Sequence, residues 1–210
     1  MIKKTLISDV PGPSAQTFTL LRVNEGDVLV SVGMTDGIKK DILLATSQGM
    51  GIRFAEDEVR PMGLIAAGVS GMKLEEKDGV IDMEILPSEG NIFLLASDGK
   101  AKRLEHADVP QQGRYGKGVR LWSLPPKVVL AGLGGGKPHH VGTVHFTKGA
   151  AKSTRLDAAG IRKRASTKGD TIIDVKPGEE VTALTLGWTV DRFVTRTNQV
   201  KKKPFPCAET

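Results

Sequence analysis

The chain has 210 residues, 39% hydrophobic and 4% aromatic, with 30 Lys and Arg against 24 Asp and Glu. That balance excludes a disordered polycation, and so few aromatics argue against base stacking as the main mode of action. The single cysteine, Cys207, excludes an internal disulfide and a cysteine-built zinc site, and no apolar run approaches the roughly 18 residues of a membrane span. Met1-Ile2-Lys3-Lys4 opens no signal-peptide stretch, so a cytoplasmic location is expected. The charge is unevenly placed: residues 1–105 carry a net −4 and residues 106–210 a net +10. Such asymmetry points to an anionic partner.

In chain order, a first strand is expected at Gly26-Asp27-Val28-Leu29-Val30. Ile42-Leu43-Leu44-Ala45-Thr46-Ser47-Gln48-Gly49 then reads as a strand running into a turn. The same pattern returns at Ile92 to Gly99, at Val144 to Gly149 and, with Asn for Gly, at Phe193 to Asn198. The turn residues fall at 49, 99, 149 and 198, spacings of 50, 50 and 49. Glycine takes positive φ at no steric cost and asparagine is the best substitute, so each copy predicts a tight hairpin. Strands like the first recur about 20 residues before the later turns, at Asp78 to Asp82, Lys127 to Leu130 and Glu179 to Ala183. Gly-rich basic loops lie between, starting at Arg60, Gln111 and Arg162. Each has a short strand after it near Val69, Val119 and Ile172.

Four short strands per unit, repeated at about 50 residues, predict an all-β, propeller-like ring. One repeat domain over residues 1–205 is expected, with repeats near 3–52, 53–102, 103–152 and 153–202, and a short tail at 206–210. Lys3-Lys4 and Lys201-Lys202 claim the same two places in the repeat.

The run Asp41-Ile42-Leu43-Leu44-Ala45-Thr46-Ser47-Gln48-Gly49-Met50-Gly51-Ile52-Arg53-Phe54, with Glu58 to Gly63 and Gly68 to Leu74 after it, closely resembles a repeat of the C-terminal domain of the DNA gyrase A subunit. The topoisomerase IV A subunit shares that domain. Gly99 to Arg103 and Gln112 to Val119 also match the family pattern. The resemblance implies a β-pinwheel, a disc whose blades exchange strands with their neighbours. It also implies no catalytic residues and a basic rim that binds and wraps duplex DNA without sequence preference. The implied setting is bacterial and nucleoid-associated, and the implied partners are double-stranded DNA and the catalytic core of a type IIA topoisomerase.

The candidate DNA-binding residues are the cations that recur at matching points. They are Lys100, Lys102, Arg103, Arg114, Lys117 and Arg120, then Lys152, Arg162, Lys163, Arg164 and Lys168, then Arg53, Arg60 and Lys73, and Lys201 with Lys202. Each phosphate neutralised by such a cation releases counterions, and spread along a curved rim these contacts offset the cost of bending. The rival reading is a free-standing propeller-like module that docks on an acidic partner protein. No cofactor and no metal are expected. His139, His140 and His145 lack cysteine or acidic companions, and Gly132-Leu133-Gly134-Gly135-Gly136-Lys137-Pro138 reads as a flexible loop between strands rather than a phosphate loop.

Overall fold

The computed structural model describes residues 1–12, 17–37 and 40–187. Its basic unit is a β-hairpin, made three times: β1 (Asp41–Thr46) with β2 (Met50–Ala55), β4 (Asn91–Ala96) with β5 (Lys100–Leu104), and β8 (Val141–Phe146) with β9 (Lys152–Arg155). Gly49, Gly99 and Gly149 close the turns at φ +78°, +82° and +98°, so the glycine period in the sequence records a backbone requirement. A single 3-10 turn follows each hairpin, at Glu56–Glu58, His106–Asp108 and Leu156–Ala158, and a fourth occupies Ile7–Asp9. The hairpin expected at Phe193 to Lys202 lies outside the described residues.

Each hairpin is widened by further strands. These are β3 (Val80–Ile85), β6 (Val119–Arg120), β7 (Leu130–Gly136), β10 (Asp170–Thr171) and β11 (Val181–Leu186). The sheets run β3-β1-β2-β6, β7-β4-β5-β10 and β11-β8-β9, with every pairing antiparallel. The outer strand of a sheet comes from the next repeat: Val119 and Arg120 pair with Gly51 and Met50, and Asp170 and Thr171 pair with Ala101 and Lys100. At the N-terminus the same exchange is made by one bridge, Ile2 to Val69.

Because the sheets pack side by side, β1 and β4 are buried on both faces. Leu43 and Ala45 of β1 pack with Ile92, Leu94 and Trp122, while Ile42 and Leu44 pack with Ile2, Phe54 and Met72. Phe93 and Leu95 of β4 face the third sheet, with Val144, Leu156 and Leu184. Three cores in series replace one central core. Double-sided burial erases the apolar–polar alternation expected of a half-buried strand.

Two expectations are overturned. The glycine-rich stretch at 132–136 is no loop but part of β7, paired with β4 from Gly136–Asn91 to Gly132–Leu95. Its glycines are required by close approach. A Cβ on Gly132 would meet the Leu184 side chain, one on Gly134 the Leu186 side chain, and one on Gly135 would stand 2.9 Å from Pro87. The stretch therefore lets β7 pack closely between β3 and β11. Conversely, Gly26 to Val30 forms no strand, and residues 17–37 hold none at all. Residues 31–33 run against β3 without pairing with it: Ser31 Oγ donates to the Met83 carbonyl at 3.4 Å, and a Cβ on Gly33 would stand 2.8 Å from Ile85 Cδ1. Residues 30–36 instead line, with β3, β7 and β11, a cleft of about 440 Å³.

Candidate nucleic-acid interface

The extended segment after each 3-10 turn lies across the sheet of the preceding repeat. Parallel bridges fix its start: Lys4 to Pro61, Arg53 to Gln111 and Arg103 to Ile161. These bridges align the repeats residue by residue, so Lys4, Arg53 and Arg103 are equivalent, as are Leu64, Arg114 and Arg164. Along all three loops, exposed residues alternate with half-buried ones. Two arginines link successive loops: Arg114 Nη1 donates to the Ser70 carbonyl, and Arg164 Nη1 donates to the Arg120 carbonyl at 3.3 Å. The loops thus form one continuous chain along the rim.

Exposed cations punctuate it: Arg60 and Lys73, then Lys117 and Arg120, then Lys163 and Lys168. Most are only lightly held. Lys117 pairs with Glu75 at 2.7 Å, with both side chains 65% exposed, and each partner shifts the other's titration, Glu75 downward and Lys117 upward. Lys163, 83% exposed, reaches Asp108 at 3.2 Å. Exposed pairs of this kind contribute little to stability, so their cations are available to an anionic ligand. Among the described residues Arg120 reaches only the Gln48 carbonyl, at 3.4 Å. Arg114 and Arg162 are half-buried. The Arg114 amide donates to Glu58 Oε2 at 2.6 Å and Arg162 Nη2 pairs with Asp170 Oδ1 at 2.6 Å. Asp170 also accepts the Gly160 amide at 2.7 Å, and that bond, with Arg162, holds its carboxyl below the usual range. Lys100 lies away from the loops, at the hairpin turn, paired with Asp98 at 2.9 Å. Lys152 is exposed, with Nζ 5.2 Å from the Phe146 ring centre. Lys201 and Lys202 lie outside the described residues.

One sequence candidate, Lys102, does not face solvent, and this is a correction; two more, Arg53 and Arg103, are half-buried and bound to the next repeat. Lys102 is fully buried between the first two sheets, its Nζ donating to carbonyls of residues 163, 164 and 166. Arg53 pairs with Asp41 at 2.6 Å and donates to the carbonyls of His106 and Val109. Arg103 repeats the pattern, donating to the Asn91 amide oxygen and the Ala159 carbonyl. Lys4 pairs with Glu56, at the same 3-10 turn of its following repeat, at 2.6 Å. Lys4, Arg53, Lys102 and Arg103 therefore bind one repeat to the next. A charge pattern alone does not say on which side of a sheet the charge lies.

Sequence reasoning missed the acidic residues that set the loops, Glu58, Asp108 and Asp170. Asp170 sits eight residues after Arg162, a spacing without a recognisable signature. Among the described residues no cluster of His, Cys, Asp and Glu could hold a metal ion, and no helix is long and apolar enough to cross a membrane.

Sheets set side by side, two of the three described ones completed by an outer strand from the next repeat, define a propeller-like fold of the β-pinwheel type. The model of the DNA gyrase C-terminal domain, described as a β-propeller, matches residues 40–87 and 90–133. That match places residues 40–87 and 90–133 in that family. It is 40% identical over 119 residues to the DNA gyrase A subunit of Pseudomonas aeruginosa, which covers 56% of this chain and 13% of that one. With the DNA gyrase A subunit of Deinococcus deserti it is 31% identical over 190 residues, 86% of this chain and 23% of that one. The chain thus corresponds to less than a quarter of either relative's length. In fold it is similar to the C-terminal domain of DNA topoisomerase IV, with a TM-score of 0.73 at 22% identity over 80% of this chain and 52% of that one. The Escherichia coli ParC C-terminal domain aligns with a TM-score of 0.56 at 18% identity, over 80% of this chain and 68% of that one.

Proposed function

We propose that this chain binds duplex DNA along its chain of rim loops, without sequence preference, and bends it, as a non-catalytic module serving a type IIA topoisomerase. The observation that carries this reading is the recurrence of exposed cations on three consecutive, mutually linked loops. Duplex DNA offers phosphates at regular intervals, and lysine or arginine contacts to them hold the duplex without reading bases. A curved row of such contacts rewards a curved duplex. Bending 20–30 bp by 40–90° costs on the order of 1–6 kcal/mol, which several phosphate contacts offset. The match to the gyrase C-terminal-domain family supports the same partner.

The loops are unequal. Residues 110–120 and 161–168 bring Arg114, Lys117, Arg120, Arg162, Lys163, Arg164 and Lys168, whereas Arg60 is close in sequence to Glu56, Asp57 and Glu58. DNA therefore engages the second and third loops first. The test is a binding titration on a 30-bp duplex across salt concentrations. The quadruple reversal of Lys117, Arg120, Lys163 and Lys168 to Glu should lower affinity at least a hundredfold and flatten the salt dependence. Unchanged affinity would sink the reading. Relaxed circular DNA, closed by a nicking-closing enzyme while bound and then deproteinised, reports on handed wrapping through a shifted linking number.

A further inference from the structure

An ammonium group in an apolar seam is costly unless each of its three N–H groups meets an acceptor. Lys102 sits in such a seam. It is 0% exposed, lies opposite Leu94 in the β4–β5 register, and its Nζ stands 5.2 Å from the Trp122 ring centre. Three acceptors meet it: the carbonyls of Arg164 at 2.6 Å and of Lys163 and Ser166 at 3.2 Å each. All three belong to the rim loop of the next repeat. Burial pulls the ammonium down to about 8, with Asp108 opposing, and the carbonyls favour the charged form.

The arrangement recurs where the sequence supplies another lysine. By the bridges at Lys4 and Arg103, Lys3 is the equivalent of Lys102 and Leu64 the equivalent of Arg164. Lys3 Nζ donates to the Leu64 carbonyl. In the repeat between them the same place is held by Ile52, a buried apolar residue with no donor to offer, lying against Gly116.

We propose that Lys102 is a positioning residue for the basic rim loop at 161–168: its ammonium clamps three carbonyls of that loop from beneath and so fixes the outward course of Lys163 and Lys168, with Arg164 turned along the rim to the Arg120 carbonyl. The clamp stands on its own geometry. Its consequence for ligand binding rests on the DNA-binding reading above. In an extended segment carbonyls and side chains cannot all point the same way. Drawing three of four consecutive carbonyls onto one buried cation fixes the loop backbone, and with it the alternation that leaves Lys163 and Lys168 exposed and Arg164 half-buried.

Peptide-level hydrogen exchange on the whole chain tests the clamp, with the loop at 110–118, which faces Ile52, as an internal control. Lys102→Met keeps the apolar stem and removes the donors. It should speed exchange in residues 162–168 at least tenfold and leave 110–118 unchanged. Unchanged exchange, or equal acceleration in every loop, overturns the proposal. Should Lys102→Met fail to fold, Lys3→Met gives the same reading at residues 62–67 from the N-terminal end of the chain, with the same two outcomes. On a 30-bp duplex, Lys102→Met should weaken binding about tenfold with the salt slope unchanged. A slope reduced by about one, with exchange unaltered, would make Lys102 a direct phosphate contact and refute the positioning role. If the wild-type chain binds no DNA, the proposed function fails, and hydrogen exchange alone decides the clamp.

Discussion

Gly99→Ala probes the join between two repeats at its tightest point. Gly99 has φ +82°, a conformation that costs an L-residue about 1–2 kcal/mol. Its carbonyl accepts the amides of Ile172 and Ile173 at 3.2 and 3.3 Å, and an added Cβ would overlap the Ile173 carbonyl oxygen and stand 2.8 Å from Val175 Cγ2. Since the obstacle is backbone, the strand from the next repeat must retreat and weaken those bonds, each worth about 0.5–1.5 kcal/mol net. Together these give a loss of about 3 kcal/mol, or about 6–12 °C in melting temperature for a chain of this size. Two other glycines separate the contributions. Gly178 has φ +80° but open space around it, so Gly178→Ala should cost about 1 kcal/mol. Gly113 has open space and no positive φ, so Gly113→Ala should stay within about 0.5 kcal/mol of wild type. Urea melts followed by tryptophan fluorescence measure all three, with buried Trp122 reporting on the seam. Gly99→Ala no less stable than Gly178→Ala would refute the close-approach argument.

Further outcomes follow from other contacts. Asp170→Asn removes the carboxylate that holds Gly160 and Arg162, and should cost about 1 kcal/mol at neutral pH. Because the folded carboxyl titrates below its ordinary 3.8, that stability is present above pH 3.8 and is lost as pH falls through the folded value. The gap between wild-type and variant urea midpoints should therefore close at acid pH, and a gap that persists there would contradict the assignment. Trp122→Ala empties the seam between the first two sheets and should cost about 3–5 kcal/mol, read by calorimetry. Gly134→Ala sets a methyl against Leu186 and should loosen β11, seen as faster amide exchange in residues 181–186 with β1 unaffected.

The parts legible in the sequence are those where backbone geometry dictates residue type. The hairpin turns demand positive φ, so glycine marks them, and their period exposes the repeat without reference to any single strand. The same residue misleads at 132–136, where glycine serves the approach of neighbouring strands rather than chain reversal. Only β3 and β11, distant in sequence, supply the reason. Gly26 to Val30 carries the apolar run of a strand, yet it joins no sheet, and pairing is not written in a segment's own residues. At the rim, Lys117, Arg120, Lys163 and Lys168 recur in charge and are exposed. Lys102 carries the same charge but sheet register turns it into the seam, and Arg53 and Arg103 are half-buried, all three held by carbonyls of the next repeat.

The dependence of each rim loop on the hairpin before it displaces cause from effect by one repeat. A substitution at Lys102 is felt at residues 163–166, and one at Arg53 is felt at His106 and Val109. A repeat moved into a foreign array would therefore arrive without the foundation of its own loop, and would bring a foundation for a stranger's. The module that can be transplanted with its surface intact is not the 50-residue period visible in the sequence but a longer one, running from one hairpin through the loop that follows the next hairpin, as residues 41–120 do.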